Sequence, residues 1–258
     1  MRSDWRKWLT RKNNALINDI LDLLYPPRCP VCDRVLPFRS GVVCASCLGQ
    51  LPYVGEEYCL KCGKPLRKKG LEYCNDCSRM RHVFEENRAL FYYDDRMKRS
   101  LYRLKYAGRR EYADTFARLA AQELGDWIGH LGAELIIPVP LHKSRLRKRG
   151  YNQAALFAKS LSSRMHIPYS DKSAGRIRAT LPQKGLNPAQ RQENLKKAFI
   201  IRQNDVKSKI VLLVDDIYTT GSTLDALAGE ILAAGARNVY GLTICIGRDG
   251  GREELPLE

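Results

Sequence analysis

Apolar positions change their spacing several times along this chain of 258 residues. Residues 1–24 carry Trp5, Trp8, Leu16, Ile17, Ile20 and Leu24 at helical intervals, and Pro26-Pro27 stop the run. An amphipathic helix is expected over 1–25, packed on its own protein, because Asp19 and Asp22 interrupt its basic face. From residue 82 onward short apolar runs alternate with helical stripes. ENRALFYYDD predicts a strand, and RMKRSLYRLKYAG a helix ending at Gly108. Tyr112, Phe116, Leu119, Ala120 and Leu124 can share one helical face. Strands are expected over Glu134–Val139, Lys209–Val214 and Asn238–Ile246, and helices over Tyr151–Met165 and Ser222–Ala234. Two polar stretches read as loops: Pro138–Tyr151, which is basic, and the breaker-rich LPQKGLNPAQRQENL.

Such alternation predicts an α/β fold with a mostly parallel sheet flanked by helices. Ligands of these sheets sit beyond the carboxyl ends of the strands, here the loops Pro138–Tyr151 and Asp215–Thr223. The expected organisation is an N-terminal helix (1–25), a cysteine block (26–81), an α/β domain (82–250) and a tail (251–258). No run is long and apolar enough to span a bilayer. The N-terminus lacks the apolar core and cleavage site of an export signal, so a cytoplasmic protein is expected.

The cysteine block has little apolar periodicity. Eight of the nine cysteines form four Cys-x-x-Cys pairs: Cys29/Cys32, Cys44/Cys47, Cys59/Cys62 and Cys74/Cys77. The last two pairs repeat the first two at an offset of thirty residues, so two copies of one small unit are expected. Two Cys-x-x-Cys knuckles supply the four sulfurs of a structural Zn²⁺ site. Two zinc sites follow. The repeat favours sequential pairing, which completes each copy, over a crossed brace. Disulfides need an oxidising compartment, and a thioredoxin-like motif needs only one such pair. Cys245, alone in an apolar run, is expected to be an inert core residue.

The formal net charge is +16. Between Leu135 and Gln192 twelve Lys/Arg residues meet one acid, Asp171, so a polyanionic ligand is expected near this segment. A solvated basic face is the plainer account of the same charge. The stretch VLLVDDIYTTGST, Val211–Thr223, is more specific. Apolar β-formers lead to Asp215-Asp216, whose carboxylates can accept from vicinal hydroxyls. A turn of Thr219, Thr220, Gly221, Ser222 and Thr223 then opens a helix, where backbone N–H groups, hydroxyls and the helix dipole can hold a phosphate. A ligand with both a sugar and a phosphate is implied.

This stretch resembles the phosphoribosyl pyrophosphate (PRPP) motif of type I phosphoribosyltransferases. The resemblance implies that Asp215 and Asp216 hold the ribose hydroxyls and that Thr219–Thr223 hold the 5-phosphate. IIPVPLHKSRLRKRGYNQA is then similar to the family's pyrophosphate loop, with Arg145 and Arg149 as diphosphate ligands and Mg²⁺ bound with PRPP. RIRATLPQKGLNPAQRQENLKKAF (Arg176–Phe199) looks like a hood. The combination with LLYPPRCPVC and LKYAGRREYADTFA resembles the ComF family, over roughly residues 20–247. By position Lys105, Arg149, Asn152, Gln153, Arg176, Thr180, Gln183, Arg191 and Asn194 fall on its patterned sites.

The resemblance implies a type I phosphoribosyltransferase fold behind a double zinc ribbon. It implies pentosyl transfer from PRPP, with Lys105, Arg149, Asp215 and Asp216 as the catalytic set. It implies a role in natural competence, handling incoming single-stranded DNA at the inner face of the membrane. Competence helicases and recombination proteins are the implied partners, without stable membrane insertion. The alternative is a metabolic phosphoribosyltransferase with an unidentified acceptor and no DNA role. Purine-salvage members carry an aspartate where this chain has Thr219, which disfavours a purine acceptor handled by that base. Asp225 reads as a surface residue and His142 as a solvent-facing loop histidine. Tyr102, Tyr106, Tyr151 and Tyr169 suit either a base-stacking groove or a core.

Overall fold

The computed structural model describes residues 26–37, 41–66, 68, 70–177 and 198–247. The chain divides into two compact units, Met1–Leu51 and Pro52–Glu258. The expected helix over 1–25 lies outside the described residues, as does the tail.

In the smaller unit, Cys29 N–H donates to Arg34 O (2.9 Å) and Asp33 N–H to Cys29 O (2.8 Å), closing the first knuckle. Asp33 takes φ +64° to complete that turn. The short helix α1 (Ala45–Leu48) starts at Cys44. The larger unit repeats this pattern thirty residues on. Cys59 N–H donates to Lys64 O and Gly63 N–H to Cys59 O, both at 2.8 Å, with Gly63 at φ +77°. The periodicity seen in the cysteines therefore extends to backbone hydrogen bonds.

The larger unit is built on a four-stranded, all-parallel sheet of β1 (Asn87–Tyr92), β2 (Leu135–Pro138), β5 (Ile210–Tyr218) and β6 (Asn238–Ile246), in the order β1-β6-β5-β2. Two short strands, β3 (Ala174–Arg176) and β4 (Phe199–Ile201), pair antiparallel apart from it. Val211–Val214, Leu135–Ile137 and Leu242 are buried, as continuous apolar runs in a covered parallel sheet should be.

Helix α2 (Asp95–Tyr106) starts where the Asp94 carboxylate accepts from Met97 N–H at 2.8 Å. It buries Met97, Leu101, Leu104 and Lys105. Helix α3 (Tyr112–His130) buries Tyr112, Phe116, Leu119 and Ala120 as its spacing predicts, while Leu124 is only half-buried. Phe116 meets Phe91 of β1 edge-on, ring centroids 6.0 Å apart. Such a contact adds about 0.5–1.5 kcal/mol beyond burial. Helix α5 (Gln153–Met165) packs against α3 and against β2 and β5. Helix α6 (Ser222–Ala233) packs on β6 and β4.

One expectation is corrected. The basic segment after β2 is not all loop: His142 caps helix α4 (Lys143–Arg149), and Gly150, at φ +80°, ends it. Among the described residues no helix is long and apolar enough to cross a membrane.

Candidate functional site

Because every strand of the main sheet runs the same way, the carboxyl ends of β1, β2, β5 and β6 share one edge. Strand β5 outruns β2. Pairing with β2 ends at Pro138↔Val214, whereas pairing with β6 continues through Asp215↔Thr243 to Tyr218↔Ile246. The two acids therefore stand where β2 has left the sheet for α4.

Asp216 is 6% exposed. Its Oδ2 lies 3.1 Å from Lys105 Nζ and accepts from Gln153 Nε2 at 2.6 Å. Gln153 in turn accepts through Oε1 from the Arg149 guanidinium. That guanidinium also lies 5.0 Å from the centre of the Tyr106 ring. Lys105 on α2, Asp216 on β5, Gln153 on α5 and Arg149 on α4 thus form one chain of charge-assisted contacts. Asn152 fixes this corner, accepting from Ala154 N–H (3.0 Å) as the cap of α5 and donating to Val139 O (2.9 Å). Asp215 is half-buried, and its Oδ1 accepts from Asp216 N–H at 2.8 Å.

The Thr219–Thr223 turn runs directly from β5 into α6. Gly221 takes φ +79° and leaves the first turn of the helix without a side-chain cap. Thr220 Oγ1 and Ser222 Oγ lie 2.8 Å apart. A helix start without a side-chain cap, beside clustered hydroxyls, suits a phosphate.

On α4, Lys143, Arg147 and Lys148 are exposed, while Arg145 and Arg149 are half-buried. Arg176 is buried on β3, its backbone bridged to His142 and its guanidinium 5.4 Å from the Phe199 ring centre. Thr180, Gln183, Arg191 and Asn194 lie outside the described residues. The His142 ring is a helix cap: its Nδ1 accepts from Ser144 N–H at 3.3 Å. Tyr102 and Tyr106 are exposed, with rings 5.1 Å apart, and are not core. Tyr151 is buried, its hydroxyl donating to Leu104 O. Burial pushes the Tyr151 hydroxyl up from its ordinary pKa. Cys245 is fully buried, and burial raises its thiol well above the usual range.

Asp225 also departs from its expected surface place. Its carboxylate accepts from His82 Nδ1 (2.7 Å) and from Val83 N–H (2.8 Å). His82 is the residue that sequence reading missed. It stands alone in a polar stretch, and no spacing marks it.

The eight paired cysteines gather into two clusters, Cys29/Cys32/Cys44/Cys47 and Cys59/Cys62/Cys74/Cys77, with the ligand atoms of each within 4.8 Å of one another. The pairing is the sequential one. Cys32 and Cys44 sulfurs lie 3.7 Å apart, and Cys62 and Cys74 sulfurs 3.6 Å. Tetrahedral zinc with Zn–S near 2.3 Å sets sulfur–sulfur separations of about 3.8 Å, so both sets fit the ion. None of the eight is in a disulfide. The Ser46 hydroxyl beside Cys44 holds that thiol down at about 6, toward the thiolate that a metal requires.

Comparison with known proteins agrees with both parts. The family model for a double zinc ribbon domain matches residues 20–78, and that for a phosphoribosyl transferase domain matches residues 152–256. Competence protein F of Haemophilus influenzae is 40% identical over 108 residues, 41% of this chain and 47% of that protein. DNA utilization protein YhgH of Escherichia coli is 34% identical over 56% of this chain and 65% of its own. Competence protein ComFC of Bacillus subtilis is 28% identical over 63% of this chain and 65% of its own. The match thus spans less than two thirds of each relative. Among solved structures, the hypoxanthine phosphoribosyltransferase of Trypanosoma cruzi aligns at 17% identity over 58% of this chain and 73% of that one, with a TM-score of 0.36. The chain is a homologue of competence protein F, ComFC and YhgH, joining a double zinc ribbon to a phosphoribosyltransferase domain.

Proposed function

We propose that the chain binds PRPP with Mg²⁺ at the end of β5 and transfers its phosphoribosyl group. One observation carries this reading: the acid pair at the strand end runs without a break into the uncapped, hydroxyl-rich start of α6. Asp215 and Asp216 would accept from the ribose hydroxyls, and the 219–223 turn would enclose the 5-phosphate. The diphosphate would lie toward α4, whose Arg145 and Arg149 bring positive charge to it. Lys105 is buried against Asp216 and orients that acid more than it meets solvent.

Mg²⁺ takes octahedral oxygen ligands, mostly substrate phosphates and waters with one or two carboxylates. The residues fit that pattern, because two adjacent carboxylates, Asp215 and Asp216, stand at the end of β5, and Lys105 and Gln153 hold Asp216 through Oδ2. When bound, the ion would offset the charge of the departing diphosphate. Departure of pyrophosphate leaves positive charge on the ribosyl carbon, so fixed dipoles and cations at the leaving group are what the chain must supply.

Isothermal titration of the zinc-loaded chain with PRPP and Mg²⁺ should show one site. Asp215→Ala with Asp216→Ala should weaken it at least about 100-fold, the loss expected from removing two or more charge-assisted hydrogen bonds. Binding that survives the double change places the ligand elsewhere.

A second reading is favoured by a separate observation. Exposed Tyr102 and Tyr106 lie beside a basic helix, and aromatic faces among cations suit single-stranded nucleic acid. The names of the relatives, competence protein and DNA utilization protein, point the same way. On this reading the chain handles single-stranded DNA during competence, with the ribose phosphate as substrate or bound ligand. A metabolic role with another acceptor is the competing account.

A further inference from the structure

His82 is 8% exposed, lies outside the phosphate motif, and touches three parts of the larger unit. Through Nδ1 it donates to Asp225 Oδ2 at 2.7 Å, while Val83 N–H occupies Asp225 Oδ1. Both oxygens of Asp225 are therefore held by residues 82 and 83. The other ring nitrogen, Nε2, lies 3.4 Å from the Tyr218 hydroxyl. The ring also stacks on Phe84, centroids 4.9 Å apart.

These contacts converge under the phosphate turn. Asp225 N–H donates to Gly221 O at 2.8 Å. A Cβ added at Gly221 would lie 2.4 Å from Tyr218 Oη and 2.9 Å from His82 Cε1. His82 and Tyr218 are thus the floor on which the turn rests.

That floor leans on the second zinc site, the double knuckle of Cys59/Cys62 and Cys74/Cys77. Cys59, Cys62 and Cys74 are buried in one apolar cluster with Phe84, Tyr218, Leu224 and Leu227, and Cys77 packs against it. Asn87, fully buried at the start of β1, donates from Nδ2 to Cys62 O and from its backbone to Lys61 O, both at 2.9 Å. Cys32, Cys44 and Cys47 of the other copy are only half-buried. The two copies share a backbone pattern, yet this one is built into the core that carries the phosphate turn.

We propose that the second zinc knuckle braces the phosphate turn through His82, which acts as a positioning residue for ribose-phosphate binding. This rests on the ribose-phosphate reading of that turn. The Asp225–His82 pair sets the height of the Gly221 carbonyl, and hence the aim of the N–H groups at the start of α6. Phe84 and Tyr218 carry the knuckle's rigidity to the ring.

The test is hydrogen exchange on the full, zinc-loaded chain, read on peptides covering 219–225 and 135–149. His82→Ala and Asp225→Ala should each speed exchange at 219–225 about tenfold, the factor carried by one charge-assisted hydrogen bond. The 135–149 peptide should stay unchanged, and zinc content should hold at two per chain. Asp225→Asn, which keeps an acceptor for Val83 N–H but loses the charge-assisted bond to His82, should fall between the parent and Asp225→Ala. Removing zinc with a chelator should speed the same 219–225 peptide. Affinity for ribose 5-phosphate should fall about tenfold in His82→Ala, with affinity for inorganic pyrophosphate unchanged, whereas general loosening would weaken both. Unchanged exchange at 219–225, in His82→Ala or after zinc removal, overturns the brace. So does an equal rise in both peptides. If the parent chain binds no ribose 5-phosphate, the phosphate-pocket reading falls, and the exchange experiment still decides whether the knuckle braces the turn.

Discussion

Asp216 and Lys105 are an ion pair shut away from water, and that makes each dependent on the other. A buried pair gains little over an apolar substitute, but breaking it by removing one partner costs about 3–5 kcal/mol, because the remaining charge is stranded. Lys105→Met should therefore lower stability by about that amount, as read from the urea midpoint. Adding Asp216→Asn should recover most of the loss. A single-variant cost below about 1 kcal/mol would show that water reaches the carboxylate. The motif made Asp215 and Asp216 legible, and the family pattern marked Lys105 and Gln153. Nothing in the pattern said that these residues meet at one oxygen. Such a meeting is made by α2, α5 and β5 converging, a tertiary fact. His82 and Asp225 escaped notice for the same reason: they lie 143 residues apart in the chain, and neither belongs to a periodic run.

Elements with one buried face were the easiest to read. Strand β6 matches its apolar run, Asn238–Ile246, and the buried side of α3 follows the spacing from Tyr112 to Ala120. Helix α4 was hidden because it has no buried stripe. Its Lys, Arg and Leu residues are good helix formers, yet charge made the segment look like loop. The end of β5 was hidden because Asp215 and Asp216 do not resemble strand residues, although pairing with β6 continues from Asp215 to Tyr218. The turn between β5 and α6 gives a test at this scale. Gly221→Ala forces a side chain into the left-handed region, at about 1–2 kcal/mol. It also drives Cβ into Tyr218 and His82. Gly150→Ala has a similar φ, but its Cβ meets only the tip of Arg110 at 3.5 Å. Titration with ribose 5-phosphate should show at least about tenfold weaker binding in Gly221→Ala, and little change in Gly150→Ala. Equal effects would mean that backbone strain, not the collision, governs the turn.

Across the whole molecule the excess of sixteen positive charges is an argument about partners more than about folding. The fold sorts that charge into two kinds. Arg149 and Lys105 are engaged within the site and are poor reporters of an external polyanion. Lys143, Arg147 and Lys148 are exposed on α4 and free of the Asp216 network, so they separate a nucleic-acid role from a small-molecule one. For single strands the logarithm of affinity falls with the logarithm of salt at about 0.7 per phosphate contact. Replacing all three residues with alanine should therefore flatten that slope by about 2 for a labelled oligothymidylate. PRPP affinity, which the turn and the acids would set, should change far less. A parallel loss of both would place these cations around the diphosphate. An unchanged slope would remove α4 from any DNA-binding surface and leave the chain's basicity to be explained by other faces.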